Sequence, residues 1–255
     1  MAAENACAIV LRSIDFSETS SVVTFYTREC GKLGALAKGA RRLKNPFDSA
    51  LDVLTRCRIV FLRKSSGGLD LLTEAKLERR FRPPGRSLAP LYAAYYVAEL
   101  LQELTDLHDP HPKLFDAADD SLLWLSEGRD GTPDVAPIVF RFEMLALQEL
   151  GHLPNLNHCV ECGEPVEPAG RIAFGQLAGG VLCARCRPGK KYVVSLSPKA
   201  LVTMRQFAAA NDDVWRREEM ASGVRGELRG VLNNYFNHLV GHRLKMHAYL
   251  EFGDR

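Results

Sequence analysis

Four cysteines in two closely spaced pairs constrain this 255-residue chain more than any other feature: Cys159-x2-Cys162, twenty residues, then Cys183-x2-Cys186. Two thiolates separated by two residues on a tight knuckle can reach one ion about 2.3 Å away, and a second knuckle completes a tetrahedron. Between the pairs, Arg171 to Gly175 and Val181 to Cys183 flank Gly179-Gly180, a pattern that predicts a hairpin returning the second pair to the first. Two disulfides would need an oxidising compartment, of which the sequence carries no sign. A redox-active Cys-x-x-Cys usually occurs singly at a helix start, which the doubling does not suit. The expected occupant is one zinc ion, and a fully thiolate-ligated site with no open position for water is structural rather than catalytic. Cys7, Cys30 and Cys57 are scattered among apolar neighbours, and Cys30 reads as an inert buried thiol.

Upstream of the cysteines the pattern changes twice. Ala8–Leu11, Ser21–Thr27, Leu33–Ala37, Leu51–Leu62 and Leu69–Leu77 are short segments rich in apolar and β-branched residues, separated by turn signals such as Asp15-Phe16-Ser17 and Cys30-Gly31. Five strands in about 75 residues predict a small closed barrel of the OB type, with an SH3-like barrel as the alternative. Arg82-Pro83-Pro84-Gly85 then marks a boundary, after which helical periodicity takes over. Helices are expected from about Leu91 to Leu107, from Lys113 to Leu125, and from an Asp134 cap to Gly151. Another opens at Ser197-Pro198, and a last one carries Leu228, Leu232, Tyr235 and Leu239. The expected fold class is α+β multidomain: an N-terminal five-stranded OB-fold β-barrel over 1–82, then an α-helical domain over 83–255 with a zinc insert at about 155–192.

Charge is unevenly placed. Residues 1–85 carry 15 Lys and Arg against 9 Asp and Glu, whereas the whole chain has a net charge of only +2. The surplus concentrates at Arg28, Lys32, Lys38, Arg41, Arg42 and Lys44, against a single Glu29. A cationic, glycine-containing loop between barrel strands can follow a phosphate backbone by releasing condensed counterions, although a solvated basic surface would look the same. Phe25, Tyr26 and Phe47 lie nearby and could offer stacking faces to bases, yet strand alternation should turn at least one of Phe25 and Tyr26 into the core.

Catalytic signatures are missing: the sequence holds no P-loop, His-Glu-x-x-His, Gly-x-Ser-x-Gly or dinucleotide fingerprint. Asp116, Asp119 and Asp120 could suggest a metal-dependent nuclease, but a solvated acidic helix face explains them more simply. His238, His242 and His247 are spaced by four and five residues and do not make a convincing second metal site. No apolar run approaches the ~20 residues of a bilayer span, and Met1 to Asn5 lacks the basic start of a secretory signal. A cytoplasmic protein is expected.

These residues together resemble the RecO recombination mediators. Gly31-Lys32-Leu33 followed by Ala37-Lys38-Gly39-Ala40-Arg41-Arg42 is similar to that family's basic loop. Cys159-x2-Cys162-Gly163, Phe174, Gly179-Gly180 and Cys183-x2-Cys186 resemble the zinc insert of many members, and Gly241 to Leu250 resembles the closing segment. The resemblance implies a bacterial, non-enzymatic DNA repair protein that binds single- and double-stranded DNA and anneals complementary strands. With RecR it would help load RecA onto strands coated by single-strand-binding protein. It places DNA contacts on Lys38, Arg41 and Arg42, with Lys32 and Lys44 beside them. A nuclease, or a zinc-ribbon protein-interaction module, are the readings from other classes.

Overall fold

Strand alternation and helix capping in the sequence both find their places in the computed structural model, which describes residues 3–43, 45–47, 49–64, 67–127, 134–209, 215 and 219–250. Contacts divide the chain into two compact units, Met1–Pro133 and Asp134–Arg255. Among the described residues no helix is long and apolar enough to cross a membrane.

In the first unit, β1 (Ala3–Asp15), β2 (Ser20–Thr27), β3 (Gly31–Lys38), β4 (Arg56–Leu62) and β5 (Asp70–Arg79) close into a barrel of order β1-β2-β3-β5-β4. β3 and β5 run parallel and β1 pairs back onto β4, as the OB expectation requires. A register shift between Val10 and Arg12 bends β1, so that its first half pairs with β4 and its second with β2. Alternate side chains fill the interior: small Ala6, Ala8, Ala35 and Ala37 interlock with large Phe25, Leu33, Ile59 and Phe61.

Two strands differ clearly from expectation: β1 runs beyond Ala8–Leu11 at both ends, and β4 starts late. The segment from Leu51 is not yet a strand, and β4 begins only at Arg56. Phe47, Ala50 and Leu51 fold back in turns to join the barrel core. Leu54 then takes a left-handed φ of 68° while its N–H donates to the Val10 carbonyl at 2.9 Å. That conformation does not continue a pleated strand.

α1 (Ala89–Leu104) and α2 (Pro112–Ser126) belong to the same unit. α1 stops short of Leu107 because its last carbonyls find other partners. The Thr105 hydroxyl donates to Leu101 O at 2.6 Å, and the Lys32 ammonium donates to Gln102 O and Thr105 O. The Tyr26 ring stacks on Phe115 of α2 with centroids 6.3 Å apart, which explains why Phe25 and Tyr26 are both fully buried. Phe25 fills the barrel and Tyr26 lies under the helix.

Charge pins α2 in place. The Arg28 guanidinium donates to both Asp116 oxygens at 2.8 and 3.0 Å, and buried Asp119 accepts from Arg56 and Arg79. Two members of the expected solvated acidic face, Asp116 and Asp119, thus form an ion-paired seam, because they lie over barrel arginines that are far away in sequence, while Asp120 is exposed as expected.

The second unit is built on α3 (Val135–Glu149), α4 (Pro198–Ala209) and α5 (Ser222–Val240), followed by a short 3-10 helix, Lys245–Tyr249. Asp134 caps α3 as expected, accepting from Ala136 N–H, and it also receives a bidentate bond from Arg225. Ser197 Oγ accepts from Ala200 N–H to cap α4. α3 is apolar nearly all round and nearly all buried. Its Glu143 carboxylate accepts from Arg229 of α5 at 2.6 Å, with that guanidinium over the Phe140 ring.

Unfolding measurements can test two of these buried polar groups. Asp119→Ala should destabilise the protein by about 2–3 kcal/mol, measured by urea unfolding, because it strands the partly buried Arg79 guanidinium and leaves Arg56 with Glu78 alone. The second group is His247, which burial and the nearby Arg229 and Arg243 hold neutral down to about pH 4. Its folded pKa lies below its unfolded value of 6.5. Its stabilising contribution is therefore complete above pH 6.5 and is lost as pH falls toward 4. Replacing it, as in His247→Gln, should remove about 1–2 kcal/mol from the drop in unfolding free energy between pH 7 and pH 4.5, after allowance for solvent screening.

Candidate metal centre and nucleic-acid interface

The cysteine insert folds as the sequence predicts, with one addition. β6 (Ile172–Gly175) and β7 (Gly180–Leu182) form the expected hairpin, and Val193–Leu196, just past the expected end of the insert, adds a third strand, β8, on the other side of β6. The hairpin turn is locked onto the first knuckle. Asn155 N–H donates to Gly179 O and Val181 N–H returns to Asn155 O, both at 2.9 Å, while Val160 N–H reaches Val181 O. Position 180 must be glycine, since a Cβ there would sit 2.3 Å from Asn155 O.

This arrangement brings Cys159, Cys162, Cys183 and Cys186 together, with all four sulfurs within 4.8 Å of one another and Cys162 Sγ 3.7 Å from Cys183 Sγ. Four thiolates around one ion at about 2.3 Å would stand about 3.8 Å apart, so the donor set and its spacing fit a tetrahedral metal site. The electrostatics agree with that. Burial opposes ionisation of Cys159, but backbone amides of Cys183, Cys162 and Glu161 bring its thiol down to about 6. Backbone N–H of Cys186 lowers Cys183 in the same way. Cys186, whose S–H donates to the Cys183 and Cys162 sulfurs, is pushed up to about 12. Crowded thiolates resist joint ionisation, and a bound cation relieves that conflict. Arg185, paired with Glu164 and close to Cys183 and Cys162, adds positive charge beside the cluster.

The other cysteines stand apart from this chemistry. Cys57 lies inside the barrel, where burial raises its thiol to about 12. Cys30 is half-buried and is also raised by burial. Among the described residues, His238, His242 and His247 form no group that could hold a metal.

The cationic loop occupies one rim of the barrel. Lys38 ends β3, and the chain turns through Gly39, where Arg42 N–H donates to Gly39 O at 3.1 Å. Lys38, Arg41 and Arg42 are all exposed, and Leu43 beside them is fully so. Arg41 is anchored to the neighbouring β1–β2 turn: its N–H donates to Thr19 O, its guanidinium donates to Ser17 O at 2.6 Å and pairs with Asp15 at 3.1 Å. No sequence signal points to that anchor, because it joins residues more than twenty positions apart. Lys32 points elsewhere, to the end of α1. Its ammonium already serves the helix carbonyls, and burial there lowers its pKa. Lys44 lies outside the described residues.

Gly31, part of the sequence motif, has a structural reason of its own. Its φ is 69°, and a Cβ would meet the Asp109 carbonyl oxygen at 2.2 Å. This close approach lets His108 N–H bond to Lys32 O at 2.8 Å and keeps β3 in register with the α1–α2 connection.

The aromatic expectation changes. Phe25, Tyr26 and Phe47 are all buried, so none offers a face to a base. The Asp116 and Asp119 carboxylates that a nuclease reading would use are held by arginines.

Comparison with known proteins matches this architecture. The family described as Recombination protein O N terminal covers residues 1–81, and Recombination protein O C terminal covers 86–247. A DNA repair protein RecO from Rhodopirellula baltica is 40% identical over 95% of this chain and 97% of its own. Proteins of the same name from Anaeromyxobacter dehalogenans and Bacillus subtilis are each 31% identical over 95% of this chain, covering 94% and 92% of theirs. With both halves matched in order and across nearly the full length, this chain belongs to the RecO family of DNA repair proteins.

Proposed function

We propose that this protein is a non-enzymatic DNA-binding recombination mediator of the bacterial cytoplasm. It binds single- and double-stranded DNA, anneals complementary strands, and works with RecR to load RecA onto strands coated by single-strand-binding protein. The observation that carries the DNA-binding part is the exposed trio Lys38, Arg41 and Arg42 on the barrel rim. The DNA contacts fall on these three, with Lys44 continuing the same run in sequence. Lys32 supports them by fixing β3 to α1.

Annealing then needs no active-site chemistry. Two polyanionic strands held on a cationic surface repel each other less and meet at higher local concentration. Base pairing supplies the rest. The engaged state of Asp116 and Asp119 speaks for this reading over a nuclease.

The four-cysteine cluster takes one structural zinc ion. With four thiolate ligands the ion would have no position for a substrate or water, so its work is to fasten the two knuckles.

Two measurements test these assignments. A Lys38→Ala/Arg42→Ala protein leaves the Arg41 anchor intact and should lose affinity for duplex DNA. Its plot of log affinity against log salt should be shallower by about 2, close to one for each phosphate no longer neutralised. An unchanged slope would remove the loop from the interface. For the metal, Cys183→Ser should lower bound zinc from about one per chain and increase proteolysis within the insert, while helix content by circular dichroism changes little. Wild-type protein purified under reducing conditions and found free of zinc would overturn the assignment.

A further inference from the structure

The barrel rim holds an aromatic side chain that belongs neither to the core nor to the cationic loop's own sequence. Phe16, at the β1–β2 turn, is 64% exposed, the most exposed aromatic residue among those described in the first unit. Its backbone is firmly held. Phe16 N–H donates to Ser20 O at 3.0 Å, Ser17 N–H donates to the same oxygen at 3.2 Å, and Ser20 N–H donates to Ser17 Oγ at 3.2 Å. The residues on either side of Phe16 also hold the loop, because the Arg41 guanidinium grips Ser17 O and the Asp15 carboxylate. An apolar ring kept in water on an ordered turn, tied directly to the basic segment, is not among the side chains that fill the barrel core.

We infer that Phe16 is a stacking platform for an unpaired base of single-stranded nucleic acid whose backbone lies along Lys38, Arg41 and Arg42. This rests on the DNA-binding reading of the loop and adds strand selectivity to it. Charge decides how the strand lies. Asp15 and Glu18 flank Phe16 and disfavour a phosphate at the tip of the turn, whereas the loop one step away is cationic. The backbone therefore takes the loop and a base takes the ring. A base in a duplex is already stacked on both faces and cannot use Phe16 without being unstacked, whereas a single strand offers its bases freely.

The test compares Phe16→Ala, Phe16→Trp and wild type on an oligo-dT strand and on a duplex of equal length, each at several salt concentrations. Phe16→Ala should bind the single strand about 5- to 100-fold more weakly, with duplex affinity within about twofold of wild type. Its salt slope should be unchanged, since every phosphate-binding cation is still in place. Phe16→Trp should keep its single-strand affinity. Its additional fluorescence over wild type should be quenched by oligo-dT and not by heparin, a polyanion without bases. Equal losses on both substrates, or no loss on either, would overturn the inference while leaving the loop assignment to stand or fall on its salt slope. A wild type that binds neither substrate would overturn the DNA-binding reading and this inference with it.

Discussion

The structure of the first unit depends on how its positive charge is sorted. The barrel is rich in arginine, and a closed five-stranded sheet has no room inside for guanidinium groups, so every one must be solvated or paired outside. α2 does the pairing on one side: Asp116 takes Arg28, and buried Asp119 takes Arg56 and Arg79. Glu78 serves Arg56 and Arg58, Glu4 serves Arg63, and Asp52 lies near Arg80. Among the described residues, Lys38 and Arg42 have no carboxylate partner, and Arg41 shares only an exposed one. Net charge alone would spread the basic character over the whole barrel. Pairing neutralises much of it, and Lys38, Arg41 and Arg42 remain exposed together on one rim, a local surplus of the kind that attracts polyanions.

The same seam shows how much of the fold was legible. Strand alternation located all five barrel strands because one face of each had to be apolar, and Asp134 and Ser197 marked two helix starts because few residue types can satisfy the first free N–H groups. The failures come from long-range contacts. Leu51 is apolar and β-compatible, yet it folds into the barrel end with Phe47 rather than continuing into β4, since closing the barrel needed side chains from outside the sheet. Alternation puts at least one of Phe25 and Tyr26 in the core, and the second joins it only because a strand with α2 on its outer face is buried on both sides. Asp119 reads as a surface residue until the two arginines beneath it are placed. The candidate site divides in the same way: the cysteines were legible because both knuckles are local, whereas the Arg41 anchor joins two separate turns.

α1 and α2 illustrate why domain limits drawn on sequence and on compactness differ. The two family segments meet between residues 81 and 86, where β5 gives way to the helical region, yet the compact unit continues to Pro133. The reason is physical. Lys32 takes the last carbonyls of α1, Gly31 lies against the backbone of Asp109, and Phe115 covers Tyr26. The strand that leads to the basic loop is therefore braced from behind by helices, and a braced strand can present a loop in one orientation.

The four-cysteine cluster, as a candidate metal site, would answer a different shortage. Alternation along β6 sends Phe174 onto Tyr235 of α5, with ring centroids 6.2 Å apart, and turns Ala173 toward the cysteine cluster. On that outward side, among the described residues, Cys159, Ala173 and Leu182 are buried, with half-buried Val160, Val166 and Val193 packed against them. So small an apolar cluster cannot by itself hold two knuckles and a hairpin against chain entropy. Four thiols gathered within 4.8 Å worsen the problem unless a cation joins them, and with one they solve it. A bound ion and hydrophobic burial would thus serve opposite faces of one small sheet. The helix-facing side would remain packed without the metal, so loss of the ion should loosen the knuckles first and the bundle least.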